Sequence, residues 1–155
     1  MPFSAHSTAP MIIPDDFRDF LRCLNGHEVE YLVLGGHAVS FHGYPRFTHD
    51  IDLFIRPTSS NAGLLIAALV EFGFGEVALT AEDFTVPVTV VLGRAPHEID
   101  LMTYIKGVDL EQAWADRVGG VIDTVPVFFL SKPHLIENKL AVGRPEDLGD
   151  VARLR

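Results

Sequence analysis

The sequence predicts an α+β fold, an α/β mixture in which a small mixed β-sheet carries flanking helices. Three observations lead there. Apolar residues recur at i, i+3, i+4 and i+7 in some stretches, as at Phe17, Phe20, Leu21 and Leu24, and cluster in short runs in others, as at Tyr31-Leu32-Val33-Leu34. Helical and strand patterns alternate through the first half of the chain. Two later strand-like runs, 84–92 and 98–104, are separated only by the turn Gly93-Arg94-Ala95-Pro96, which makes them an antiparallel hairpin. Alternation with a hairpin inside it excludes a regular Rossmann order.

Each element has a local reason. Residues 1–13, with Pro2, Pro10 and small polar residues, read as an N-terminal arm. Pro14-Asp15-Asp16 opens a helix and Gly26 stops it. Residues 31–34 form a buried strand, broken by Gly35-Gly36, and a short helix follows over 37–42. A second strand runs over 50–55 and closes at Arg56-Pro57. Ser59 or Ser60 caps a helix reaching about Phe72. The Val- and Thr-rich run 84–92 is a strand, with Pro87 demanding an edge position or a bulge. Residues 110–117 are helical, and a short strand pair lies around 121–122 and 127–130. Ser131 caps a helix that ends at Gly143, and Pro145 begins the last one.

The 155 residues suit one domain, taken here as 14–155, and an apolar fraction of 48% is enough to bury a core. The net charge of −9 is the wrong sign for a generic nucleic-acid coat. It leaves room for an acidic enzyme that recruits a divalent cation. A single cysteine, Cys23, excludes an internal disulfide and fits a reducing compartment. No apolar run is long enough to cross a bilayer, and Met1–Pro10 lacks a signal-peptide pattern. The expectation is a cytoplasmic domain with no membrane partner.

Chemistry concentrates between Gly35 and Leu53. A strand running into Gly35-Gly36 and then a helix lets backbone approach a ligand such as a phosphate. Asp50 and Asp52 stand two apart on a strand and so share a face, with Ile51 and Leu53 opposite. Ionised side by side they repel, and Mg²⁺, with Mn²⁺ as the alternative, relieves that repulsion through hard oxygen ligands. Asp100, flanked by Ile99 and Leu101, offers the third carboxylate of a two-metal arrangement, with Glu98 as backup. The plainer reading makes Asp50 and Asp52 a solvated strand end and Asp100 an exposed polar position.

These strings resemble the DNA polymerase β-type nucleotidyltransferase superfamily. The similarity is greatest to a small bacterial branch that includes abortive-infection type IV toxin nucleotidyltransferases and lincosamide and aminoglycoside nucleotidyltransferases. That branch reads Gly-Gly-x-Ala, then Gly-x-x-Arg-x-Thr-x-Asp-Ile-Asp. Here the residues are Gly35-Gly36-His37-Ala38, then Gly43-Tyr44-Pro45-Arg46-Phe47-Thr48-His49-Asp50-Ile51-Asp52. The stretch from Lys139 through Ala141 and Arg144 to Asp147 and Asp150 is similar to that branch's C-terminal element. The resemblance covers about residues 28–155.

It implies a nucleotidyltransferase fold. Asp50 and Asp52 would hold the metal against a nucleoside triphosphate, and Asp100 would hold a second metal and act as, or orient, the base. Gly35 and Gly36 would cradle phosphates, Gly36 replacing the usual serine. His37 falls beside the nucleotide on this reading. Arg46 serves either as a phosphate contact or as a strand-holding ion pair, and Thr48 bonds backbone in the same loop. Lys139 is either a triphosphate contact or a solvated lysine on an amphipathic helix. Asp147 and Asp150 stabilise the start of the last helix, with Arg144 or Lys139 as a further partner for Asp147. The implied activity transfers a nucleoside monophosphate from an NTP to a hydroxyl of RNA, protein or a small molecule, in a toxin–antitoxin or phage-defence setting. A partner chain or homodimer would complete the acceptor site. The competing reading is a regulatory module on the same fold with weak or no turnover.

No Cys or His spacing matches a zinc site, so the histidines read as surface or loop residues. Cys23 reads as a small buried apolar residue, and Trp114, Phe128 and Phe129 as core.

Overall fold

The computed structural model describes residues 14–155 apart from Arg46. The arm expected over 1–13 lies outside the described residues, as does the side chain of Arg46. Six strands form one mixed sheet in the order β3-β4-β2-β1-β6-β5. In chain order the strands are β1 (Tyr31–Leu34), β2 (Ile51–Ile55), β3 (Thr89–Arg94), β4 (His97–Met102), β5 (Val118–Ile122) and β6 (Val125–Phe129). Six helices accompany them: α1 (Pro14–Gly26), α2 (Gly35–Phe41), α3 (Ser59–Leu69), α4 (Leu110–Ala115), α5 (Lys132–Val142) and α6 (Pro145–Leu154). The expected α+β architecture is the one observed.

The strand that carries the carboxylates is central. β2 pairs antiparallel with β1 on one side and parallel with β4 on the other. The register sets Leu34 opposite Asp52 and Asp52 opposite Asp100. Side chains on adjacent paired strands stand about 4.8 Å apart, so this register alone brings two carboxylates together from residues 48 positions apart in sequence. Ile51, Leu53, Ile99 and Leu101 are fully buried on the opposite face. The period-two alternation therefore does two things at once, anchoring the strand in the core and presenting Asp52 and Asp100 away from it.

Four phenylalanines from distant segments, Phe20, Phe54, Phe84 and Phe129, are among the largest fully buried side chains. Each contributes roughly 1.5–3 kcal/mol of transfer free energy. α1 packs against α3 and β6. Its buried stripe, Phe17, Phe20, Leu21 and Leu24, has the predicted helical spacing.

Several boundaries differ from expectation. The run 84–92 is not one strand. Ala81–Phe84 is a 3₁₀ turn whose Phe84 plugs the core, and β3 begins only at Thr89. Pro87 has no N–H for a ladder. Thr103 serves the loop instead: its hydroxyl donates to Val86 O and accepts from the Val88 N–H at 2.9 Å. The hairpin turn is only Ala95-Pro96, because pairing extends to Arg94 and His97. β3 is an edge strand, and Pro87 lies just outside it. The α3 cap is Thr58, whose hydroxyl accepts from Asn61 N, rather than Ser59 or Ser60. α3 passes into a wider π-helical turn over Val70–Phe74. Ser131 caps α5 as expected, and Gly143 ends it in a left-handed conformation at φ 73°. Phe128 is 42% exposed, because its strand neighbour Phe129 takes the inward position. Arg117 lies 4.6 Å over the Phe128 ring and 4.3 Å over Trp114, which is partly buried.

Among the described residues, no helix is long and apolar enough to cross a membrane.

Candidate active site

β1 ends at Leu34, and the chain turns at Gly35 with φ 67°. A Cβ there would overlap the Asp52 carboxylate. Glycine is thus required twice, for the left-handed backbone and for the room Asp52 occupies. Gly36 is buried, and a Cβ on it would lie 3.0 Å from Cβ and Oγ1 of Thr48. The loop entering β2 packs Thr48 near this turn and is held internally, the Thr48 hydroxyl donating to Asp50 O at 3.1 Å. Asp50 sits one residue before β2, and its Oδ1 accepts the Glu98 N–H at 2.9 Å. That bond ties the first carboxylate to the strand bearing the third.

Leu34, Gly35, Gly36, Thr48, Asp50, Asp52 and Asp100 line one side of a cleft of about 630 Å³. Asn138, Lys139, Arg144 and Asp147, from α5 and the start of α6, line the other. Thr89 and Met102 extend it along β3 and β4, and Tyr104 and Lys106 along the segment after β4. His37 and Glu98 lie outside this lining. The half-buried His37 ring packs edge-on against Phe17 at 6.4 Å, and burial holds it below the usual histidine range.

Among the described residues the three carboxylates have no cation at ion-pair distance. Burial raises Asp100 most, and the hydrogen bond and charge of Asp52, with the charge of Asp50, carry it to about 8. Burial also raises Asp52; the hydrogen bond from Asp100 and the charges of Lys139 and Arg144 pull the other way. Both carboxylates are thus raised, and their mutual hydrogen bond raises Asp100 while lowering Asp52. Asp100 Oδ1 is buried without a hydrogen-bond partner among the described residues. An all-oxygen donor set, a buried orphan oxygen and carboxylates raised by burial and by one another together fit a divalent cation of the Mg²⁺ type.

Across the cleft the charges balance. The Lys139 side chain is 7% exposed; its Nζ lies 3.2 Å from Asp147 Oδ1 and 2.8 Å from Asp150 Oδ2. The solvated-lysine reading is thereby corrected: α5 turns this residue onto α6, not to solvent. Arg144 Nε donates to Asp147 at 2.7 Å. Burial alone would raise Asp147, but hydrogen bonds from Arg144 and Lys139 bring it below the usual carboxylate range.

One constellation escaped the sequence reading. Cys23 is only partly buried, and its thiol donates to Glu71 Oε2 at 3.1 Å and lies 3.3 Å from Ala68 O. Burial and the Glu71 carboxylate push it up to about 12. The i, i+4 spacing of Cys23 and His27 was visible, but Glu71 lies over 40 residues away.

Residues 16–154 match the family described as "Nucleotidyltransferase of unknown function (DUF6036)". The chain belongs to this nucleotidyltransferase family. No curated protein matches the sequence. Solved structures with the same fold include a candidate nucleotidyltransferase from Thermotoga maritima at 17% identity and TM-score 0.59, covering 92% of this chain and 94% of that one. An antigenic nucleotidyltransferase-like protein from Paracoccidioides brasiliensis is 18% identical at TM-score 0.54, covering 94% and 78%. The antibiotic-resistance factor ANT(2'')-Ia, in complex with adenylyl-2''-tobramycin, is 17% identical at TM-score 0.53, covering 89% and 84%. The nucleotidyltransferase fold is thus shared over nearly the whole chain.

Proposed function

We propose that this member of the family transfers a nucleoside monophosphate from a nucleoside triphosphate to an acceptor hydroxyl and releases pyrophosphate. The observation that carries the reading is the register of β1, β2 and β4, which gathers Gly35, Asp52 and Asp100 at one cleft wall. Asp50, Asp52 and Asp100 would hold Mg²⁺ or Mn²⁺. Bound there, the cation supplies the positive charge that keeps these carboxylates ionised and neutralises triphosphate oxygens.

The chain's own residues do the rest. Gly35 and Gly36 leave the cleft floor free of side chains where phosphates approach, with Thr48 holding the loop. Lys139 and Arg144 bring positive charge to the facing wall, although Asp147 and Asp150 engage much of it. Asp100, once ionised, accepts the proton of the acceptor hydroxyl. The acceptor oxygen bonds to the α-phosphorus while the bond to the β-phosphate bridging oxygen breaks. Arg46 belongs to the proposed phosphate-binding set through the Arg-x-Thr-x-Asp-x-Asp string alone. His37 acts, on this geometry, through packing behind the Gly turn.

The acceptor is a hydroxyl of RNA, protein or a small molecule. ANT(2'')-Ia, which carries the same fold, was captured with an adenylylated tobramycin, so small alcohols belong in the first panel. A toxin–antitoxin or phage-defence setting, with a partner chain or second copy completing the acceptor site, rests on the motif resemblance. The test is transfer of label from α-labelled NTPs, with Mg²⁺, to RNA, protein and aminoglycosides. Labelled product with the native chain and none with the Asp50→Asn, Asp52→Asn double variant supports the reading. Mg²⁺-dependent NTP binding with no acceptor labelled from a whole-cell extract would replace it with the regulatory-module reading.

A further inference from the structure

We propose a second metal site, for Zn²⁺, formed by Cys23, His27 and Glu71. None of the three lines the carboxylate cleft, and the inference does not rest on the transferase reading.

The site is assembled by two helix ends. Cys23 lies in the last turn of α1, and the His27 N–H donates to Cys23 O at 3.1 Å, continuing the helical turn past Gly26. Residues four apart on such a turn face the same way. Glu71 comes from the π-helical turn that follows α3. That turn is wider than an α-helical one and closes at Gly73, where φ is 113°. It carries Glu71 toward α1, which packs against both α3 and this turn.

The donor spacing suits a tetrahedral ion. Glu71 Oε2 stands 3.1 Å from Cys23 Sγ and 3.3 Å from His27 Nε2. One atom from each residue falls within 4.8 Å of the others. Zinc bonds of about 2.3 Å to sulfur and about 2.0–2.1 Å to nitrogen and oxygen imply ligand–ligand edges of about 3.3–3.6 Å. The two separations to Glu71 need adjustments of a few tenths of an ångström, and Cys23 and His27 close from within 4.8 Å. The Glu71 side chain is 67% exposed and that of His27 27% exposed, so solvent reaches the outer side and can supply a fourth ligand.

Donor chemistry separates this site from the cleft. Thiolate and imidazole select a borderline-soft ion such as Zn²⁺, whereas three carboxylates suit Mg²⁺. Binding replaces two hydrogen bonds to one Glu71 oxygen with direct ligation, and the thiol proton leaves to solvent. The ion would tie the end of α1 to the end of α3.

Cys23 is the only cysteine in the chain, so any thiolate-to-cobalt charge-transfer band reports it alone. The experiment titrates the full chain with Co²⁺, follows that band, and displaces the ion with Zn²⁺. The band should titrate as a single site, Zn²⁺ should bleach it, and Cys23→Ser should abolish it. His27→Ala and Glu71→Gln should each weaken affinity by about 100-fold or more, at or above the scale of losing a supporting group around a metal. Circular dichroism checks that each variant folds; if Cys23→Ser does not, the two ligand variants decide. Absence of the band in the native chain, or a band of equal affinity in both His27→Ala and Glu71→Gln, would overturn the site.

Discussion

Two clusters of charge face each other across the cleft, and they are built on opposite terms. On the sheet side, Asp50, Asp52 and Asp100 lie together, and no cation among the described residues pairs with them at ion-pair distance. Burial and the neighbouring carboxylates push Asp100 up to about 8. On the helix side, Lys139 is buried between Asp147 and Asp150, and Arg144 closes over Asp147. Burying a charge is costly unless it is paired. The helix cluster meets that condition internally and so reads as architecture. Among the described residues the sheet cluster does not meet it, which is the ground for proposing a cation there. Unbalanced burial, more than the presence of acidic residues, separates the proposed ligand group from the structural one.

The sharpest way to break this contrast is to neutralise each side in turn. Asp50→Asn with Asp52→Asn should abolish Mg²⁺-dependent nucleotide binding while leaving thermal stability equal or higher, since repulsion is removed. Isothermal titration and a melting curve read both. Undiminished nucleotide binding would move the site elsewhere. Lys139→Met should do the reverse in stability. Removing the buried cation shared by Asp147 and Asp150 should cost about 3–5 kcal/mol in denaturant unfolding. A loss no larger than that of the double Asn variant would erase the distinction.

Asp100→Asn sharpens the functional side. Nucleotide affinity should largely persist while turnover falls on the order of 10²-fold or more, the scale of losing a general base. Glu98→Gln is the control, because its backbone rather than its carboxylate is tied to Asp50. If Glu98→Gln abolishes transfer and Asp100→Asn does not, the third carboxylate is misassigned. Gly35→Ala should be smaller in stability, about 1–2 kcal/mol for a non-glycine residue held left-handed, with nucleotide affinity lost as the Asp52 carboxylate is displaced.

The smallest effect is in pH. Asp100 has a folded-state pKa raised above its unfolded value, so its contribution is fully present in acid and is lost as pH rises through about 8. Asp52 shifts in the same direction. His37 and Asp147 are lowered and contribute in the opposite sense, but both remain in an Asp100→Asn variant. With cation chelated, the melting temperature of the native chain minus that of Asp100→Asn should fall steadily from acid to mild alkali. A flat difference would mean Asp100 is not raised.

The sheet side was legible in the sequence because its information is local. Asp50 and Asp52 sit at i and i+2, and Asp100 stands between Ile99 and Leu101, so the inward and outward faces can be read residue by residue. The pairing of Lys139 was not legible, since α6 folds back at Gly143 to bring Asp150 onto a lysine eleven positions earlier. The break before β3 was hidden for a similar reason, because the hydroxyl of Thr103 satisfies a loop fifteen residues upstream of it. Phe128 could have been placed outward from strand alternation alone, given Phe129 beside it. Glu71 meets Cys23 and His27 only through helix packing, which no spacing rule reports.

The order of the two walls along the chain has a consequence for synthesis. The carboxylate wall is complete by Met102, whereas the facing residues begin at Asn138 and end at Asp147. A growing polypeptide therefore has its carboxylate wall written in sequence before the first residue of the facing wall is added, and β6, which pairs parallel with β1 through Val33 and Phe129, is made between the two. The last two helices are what give the cleft its second wall.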